Sequence, residues 1–147
     1  MIYNNVLEAV GNTPMIRLNR MTDEDSAEIL VKFEALNVGG SVKTRTAWNM
    51  ILDAEKQGKI QKDTIIVEPT SGNQGIGLAL VGAVRGYHTV IIMPDSVSEE
   101  RRKLVQNYGA EVKLVHDEGD IGECIQRCIR TALEMKEADS RVYVPQR

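Results

Sequence analysis

Thr64-Ile65-Ile66-Val67-Glu68-Pro69-Thr70-Ser71-Gly72-Asn73-Gln74-Gly75-Ile76-Gly77 is the stretch from which the fold is read. An apolar strand over 64–68 stops at a proline, a short loop of hydroxyls and glycine follows, and a helix rich in Gly, Ala and Leu occupies 73–85. The same unit recurs downstream. Strands over 89–93, 111–115 and 141–144 are separated by helices over 98–108 and 120–138, and a helix over 42–57 precedes the first strand. Four strands separated by helices predict an α/β chain, a three-layer domain with a four-stranded parallel, doubly wound sheet. The near-continuous apolar runs at 64–67 and 89–93 fit strands covered on both faces. Such sheets bind ligands beyond the carboxyl ends of their strands, and that is where 69–74 falls.

Upstream, Val6 to Val10 reads as a short helical piece ending at Gly11. Two short strands, 15–18 and 28–33, flank a polar, acidic turn over 21–27 and form a hairpin-like pair, a two-strand N-terminal appendage to the main sheet. The helix over 42–57 carries Ala47, Met50, Ile51 and Ala54 on one face, and Gly58 stands where a helix commonly ends. Ser98 is placed to cap the 98–108 helix. Ile121, Cys124, Ile125, Cys128 and Ile129 recur at helical spacing in the last helix.

Composition narrows the function. The chain has 147 residues, enough for one domain, with 42% hydrophobic and 27% charged residues. A net charge of −3 argues against nucleic-acid or membrane partners. Aromatics at 4% leave an aliphatic core and no stacking platform for single strands. No apolar run has membrane-spanning length, and Met1 to Asn5 does not read as the start of a signal peptide. Cys124 and Cys128, four apart on one helix, predict free thiols on a half-buried face. With no export signal, these features place the chain in the cytoplasm. His88 and His116 read as strand-end residues, Arg101, Arg102 and Lys103 as a solvated helix face, and Asp117 to Asp120 as an acidic loop leading into a helix cap. Trp48 reads as packing on the first helix.

Two segments carry chemistry. In Asn37-Val38-Gly39-Gly40-Ser41-Val42-Lys43-Thr44-Arg45, two glycines turn the chain tightly and a lysine enters the first turn of a helix. The helix dipole there disfavours the ammonium form, and a neutral lysine is the nucleophile that traps carbonyls. In Glu68 to Gly77, hydroxyls, glycines and helix-start N–H groups make an anion site between strand and helix. Its glycines at 72, 75 and 77 give GxxGxG rather than the dinucleotide fingerprint, no acidic residue closes the next strand, and the P-loop spacing is absent.

Together these segments resemble the fold type II pyridoxal-phosphate enzymes, the cysteine synthase (O-acetylserine sulfhydrylase) and cystathionine β-synthase family. The likeness runs almost end to end, through Gly11-Asn12-Thr13-Pro14, Lys32-Phe33-Glu34, the two segments above, Met93-Pro94, Glu100 to Leu104 and Tyr108 to Glu111. It implies pyridoxal 5'-phosphate as cofactor, held covalently by Lys43, which also serves as base for the substrate α-proton. It implies that Asn73 bonds the cofactor's ring hydroxyl, and that Thr70, Ser71, Gly72, Gln74 and Gln146 receive the substrate carboxylate. The implied reaction replaces a β-leaving group of an activated serine with sulfide or a thiol. The alternatives within reach are condensation with homocysteine, or an inactive fragment serving as an interaction module. The implied parent is a homodimer acting on small molecules.

Departures from the family pattern stand at Val38 (usually Pro or Ala), Thr44 (usually Asp) and Gln74 (often Thr). No Gly-Thr-Gly-Gly-Thr phosphate loop is present. The resemblance implies that residues 1–147 are the N-terminal, small domain, that 14–34 is an appendage of an absent C-terminal domain, and that the chain is a partial product or one needing a second chain.

Overall fold

Ile66 and Val67 are consecutive, both fully buried, and each packs into a different core. Successive side chains of a strand leave on opposite faces, so this strand is covered on both sides. The computed structural model, which describes residues 2–145, shows how. After a 3-10 turn at Val6–Ala9 come β1 (Met15–Arg17) and β2 (Leu30–Lys32), then two more such turns, Glu34–Leu36 and Val38–Gly40. The main domain follows as α1 (Lys43–Lys56), β3 (Ile65–Pro69), α2 (Asn73–Arg85), β4 (His88–Pro94), α3 (Glu99–Asn107), β5 (Glu111–Val115), α4 (Ile121–Ala138) and β6 (Val142–Tyr143).

The expected four-stranded parallel sheet is present, in the order β5-β4-β3-β6. Ile65 pairs with His88 on one side of β3 and with Val142 on the other. One face holds Ile66, Ile91 and Met93 against Ala47, Ile51 and Ala54 of α1, Leu78 and Val81 of α2, and Val105 of α3. The other holds Val67, Val90 and Ile92 against Cys124, Cys128 and Ala132 of α4. Each fully buried aliphatic side chain contributes about 1.5–3 kcal/mol of transfer free energy. Burial runs without a break from Gln74 to Gly82, so α2 is the central helix.

The strand order reverses once. The chain steps from β3 to β4 to β5, then crosses back to place β6 on the far side of β3. A crevice opens at such a reversal beyond the strands' carboxyl ends. Helices that follow strands start at that end, and α1, which feeds β3 from the far side, starts there too. The N-termini of all four helices therefore gather around one rim.

Several expectations are refined. β1 and β2 do pair antiparallel, Ile16 opposite Val31, but β2 is three residues and not six. Neither packs on the main sheet: all six of their residues are exposed. β6 shortens to Val142–Tyr143. The buried stripe of α4 runs through Cys124, Cys128 and Ala132, with Ile121 left 51% exposed. The cysteines are free and fully rather than half buried. Ser98 occupies the cap position of α3 but makes no side-chain bond there, whereas Asp120 does cap α4, accepting from the Glu123 N–H. Among the described residues no helix is long and apolar enough to cross a membrane.

Candidate functional site

Strand β3 delivers the loop 70–72 to the rim. The Thr70 N–H still donates to Ile92 O at 2.9 Å, continuing the sheet, and its hydroxyl then accepts from the Gly72 N–H at 3.2 Å. That closes a small turn in which Thr70 is buried and Ser71 and Gly72 are half-exposed. Gly72 is the N-cap of α2 and has no side chain to offer. The first N–H groups of a helix have no intrahelical acceptor, and here only that of Gly75 is turned back, onto Gly72 O. A side chain on Gly72 would meet nothing within 4 Å, so the space above the loop is open. Asn73 is exposed at the first helical position.

Lys43 stands on the adjoining helix start. Gly39 and Gly40 both take positive φ, 78° and 74°, and the chain turns through them into α1. Lys43 is the first helical residue, exposed, with its N–H donating to Ser41 Oγ at 3.2 Å. Its turn touches α2 directly. A methyl group on Gly77 would come within 3.0 Å of Lys43 O and of Ala47 Cβ, so glycine lets the two helices cross this closely. The structure thus puts Lys43 and the 70–73 loop on neighbouring helix N-termini at one rim, although 27 positions separate Lys43 from Thr70.

Gln74 is set differently from its loop neighbours. It is 3% exposed, and its amide nitrogen donates to Met50 Sδ at 3.5 Å, toward α1. Gln146 lies outside the described residues. Val144 and Pro145 line an apolar cleft of about 310 Å³ with Pro69, Ile125 and Ile129.

Two features of the rim escaped sequence reading. Arg101, read as a solvated helix residue, reaches from α3 to donate to Ser71 O at 3.3 Å. Arg101 is exposed as expected, whereas its neighbour Arg102 is half-buried and donates to the carbonyls of Val97 and Asp95, both at 3.0 Å. The second feature is a lock behind Lys43, in which Arg45 donates two bonds to Glu34, at 2.8 and 3.0 Å. That guanidinium, then the Thr13 hydroxyl, hold the Glu34 carboxyl down to about 2. No spacing signal announces contacts between residues 11 to 32 positions apart. The histidines are strand-end residues as expected, with His116 bonded to Asp95 at 2.7 Å and His88 3.6 Å from Glu111. No group of potential metal ligands occurs among the described residues.

The arrangement offers a primary amine, an amide, two hydroxyls, open helix-start donors and the Arg101 guanidinium around one rim. This donor set suits an anionic ligand that also bears a carbonyl. Comparison with known proteins agrees. The model of the family described as "Pyridoxal-phosphate dependent enzyme" matches residues 6–147. A cysteine synthase of Flavobacterium sp. is 46% identical over 99% of this chain and 46% of its own length. A hydrogen sulfide-producing enzyme from Fusobacterium nucleatum superposes with a TM-score of 0.88 at 43% identity, covering 99% of this chain and 46% of that one. An O-ureido-L-serine synthase gives 0.84 at 42%, covering 94% and 42%. The chain therefore spans about half the length of the relatives it matches.

Proposed function

This chain belongs to the pyridoxal-phosphate dependent enzyme family, and on that premise we propose that it carries the lysine-bearing half of a cysteine synthase-like site. The observation that carries the reading is the contact of the Lys43 turn with α2 at Gly77, the helix whose N-terminus follows the 70–72 loop at the same rim of the sheet. The residues present fit the cofactor's aldehyde and ring: an exposed amine, an exposed amide and open space over Gly72. When bound, pyridoxal 5'-phosphate supplies the electron sink for carbanion chemistry.

The rest falls to the chain's own groups. Lys43 Nζ would hold the cofactor and would also take the substrate α-proton. Asn73 donates to the ring hydroxyl. The Thr70 and Ser71 hydroxyls and the Gln74 N–H, on the turn made at Gly72, receive the substrate α-carboxylate, joined by Gln146. The substrate class is an activated serine, with sulfide or a thiol as the incoming nucleophile, in line with the names of the relatives. We assign 14–34 to the sheet of a second domain, since β1 and β2 bond to each other and not to the main sheet. The parent acts as a cytoplasmic homodimer on this reading.

The test is covalent trapping. The chain is mixed with pyridoxal phosphate, reduced with borohydride and mapped by peptide mass. Label concentrated on Lys43, and lost in Lys43→Ala, is the expected result. Label scattered over the surface lysines would overturn the assignment of Lys43. Cysteine formation from O-acetylserine and sulfide then tests the reaction, and its absence in a chain labelled at Lys43 would confine the reading to cofactor capture.

A further inference from the structure

The turn that presents Lys43 has few local restraints. Two successive glycines at positive φ precede it, Val42 at the N-cap of α1 has no side chain able to cap the helix, and the Lys43 N–H is tied locally by an exposed bond to Ser41 Oγ at 3.2 Å. Further rigidity must come from elsewhere. Residues 43, 44 and 45 leave the helix about 100° apart, so anchoring two of them dictates where the third points. Thr44 is 1% exposed and faces Gly39. Arg45 is clamped by Glu34: its Nε donates to Oε2 at 3.0 Å and its Nη2 to Oε1 at 2.8 Å, with a third bond from Nη2 to Thr13 Oγ1 at 3.1 Å. Lys43 has only the remaining, open direction.

The clamp is itself braced. The Thr13 hydroxyl donates to Glu34 at 2.6 Å, and Asn37 Nδ2 donates to the other carboxylate oxygen at 3.0 Å. Asn37 Oδ1 accepts from the N–H groups of Gly11 and Val38, both at 3.0 Å, which ties down the start of the glycine turn. Lys32 Nζ donates to Thr13 O. Room for the guanidinium exists because residue 11 has no side chain: a methyl group there would sit 3.0 Å from Arg45 Nη1. Thr13 and Asn37 are buried, and the Glu34 side chain is 18% exposed. A planar, two-pronged pair of this kind fixes direction as well as distance.

We propose that Glu34 and Arg45 form a positioning pair that sets the rotation of the first turn of α1 and thereby aims the Lys43 amine over the 70–73 loop. The proposal rests on the reading of Lys43 as the residue that holds the cofactor. Neither Glu34 nor Arg45 touches the ligand; both act through the turn.

Glu34→Gln, Glu34→Asp and Arg45→Lys separate the role from plain stability. Glu34→Gln keeps the shape and removes the charge, Arg45→Lys keeps the charge and removes the fork, and Glu34→Asp keeps both with a shorter reach. Amide hydrogen exchange on the chain alone is the first readout. Positioning requires Gly39 to Lys43 to exchange about tenfold faster in Glu34→Gln and Arg45→Lys, with Ile51 to Ala54 in the same helix still protected and Glu34→Asp intermediate. The second readout is the share of borohydride-fixed pyridoxal label on Lys43, expected to fall about tenfold with the loss of a charged hydrogen-bonded partner. A variant that melts earlier yet leaves both readouts at the wild-type level would overturn the proposal, because the pair would then be structural only. The two readings fail separately. Scattered label in the wild-type chain removes Lys43 as the cofactor residue, while the exchange pattern at 39–43 still decides whether the pair sets the turn.

Discussion

Replacing Gly39 with alanine probes the turn beneath Lys43, and Gly40 supplies its internal control. Both residues have positive φ, 78° and 74°. An L side chain in that region costs about 1–2 kcal/mol, so Gly40→Ala, whose methyl would meet nothing within 4 Å, should cost that and little more. At Gly39 the methyl would fall 2.5 Å from Thr44 Oγ1 and 3.3 Å from Leu80 Cδ2. Thr44 is β-branched, buried and fixed on α1, so it yields only if the helix shifts. Overpacking of this kind adds about 1–3 kcal/mol, for a total of about 2–5 kcal/mol in Gly39→Ala. Thr44 also offers a way to check the cause. Its hydroxyl is buried without a hydrogen-bond partner among the described residues. Thr44→Ala therefore gives up about 1 kcal/mol of methyl burial and recovers a comparable desolvation cost, leaving it near neutral. In the double variant it should return about 1–2 kcal/mol of the Gly39→Ala loss. Urea unfolding followed by the fluorescence of Trp48, the sole tryptophan and packed against the core, measures the four variants against wild type. Equal losses for Gly39→Ala and Gly40→Ala, or no recovery with Thr44→Ala, would refute the steric argument.

Acid should unlatch the Glu34 clamp. Its carboxyl is held at about 2 against an ordinary 4.5, chiefly by Arg45, so its contribution is complete above pH 4.5 and disappears as the pH falls toward 2; urea midpoints of Glu34→Gln should be flatter than wild type across that window. The Asp95–His116 pair has the opposite sign. Asp95 raises the His116 pKa above 6.5, so the pair's stability is complete below 6.5 and is lost as the pH rises through the raised value, and an NMR titration of His116 should shift down in Asp95→Asn. Cys124 and Cys128 are fully buried, and burial, then Cys124 beside it, pushes the Cys128 thiol up to about 11. Both should resist an aromatic disulfide reagent in the native chain and react on addition of urea, and rapid native labelling would contradict the packing of α4 on the sheet.

Most of the sheet was legible in the chain, for a simple reason. β3 and β4 are buried on both faces, so their sequences are continuous apolar runs, and the bounds of α2 and β5 coincide with those expected. The shorter edge elements were overextended. β2 and β6 have fewer ladder partners than their sequences suggest, and strand length there depends on which neighbour is present. Local pattern also found Lys43 and the 70–74 loop, because glycine turns and helix starts are written in consecutive residues. It left open where the Gln74 side chain goes, since a residue's position at a helix start does not tell which face a neighbouring helix will cover, and here the amide turns to Met50 of α1.

What the sequence by itself determined is the order of strands and helices, the parallel sheet they make, and the two short segments able to do chemistry, all of them consequences of periodicity and turn stereochemistry within a few residues. Only the tertiary structure decided that those segments share a rim, that Arg101 of α3 reaches the Ser71 carbonyl, and that Glu34, Thr13 and Asn37 brace Arg45 behind Lys43. Each of those is a contact between distant residues, set by which helix crosses which and at what distance. The close crossing of α1 and α2 at Gly77 is decided by the packing of the whole core, and no local stretch of chain records it.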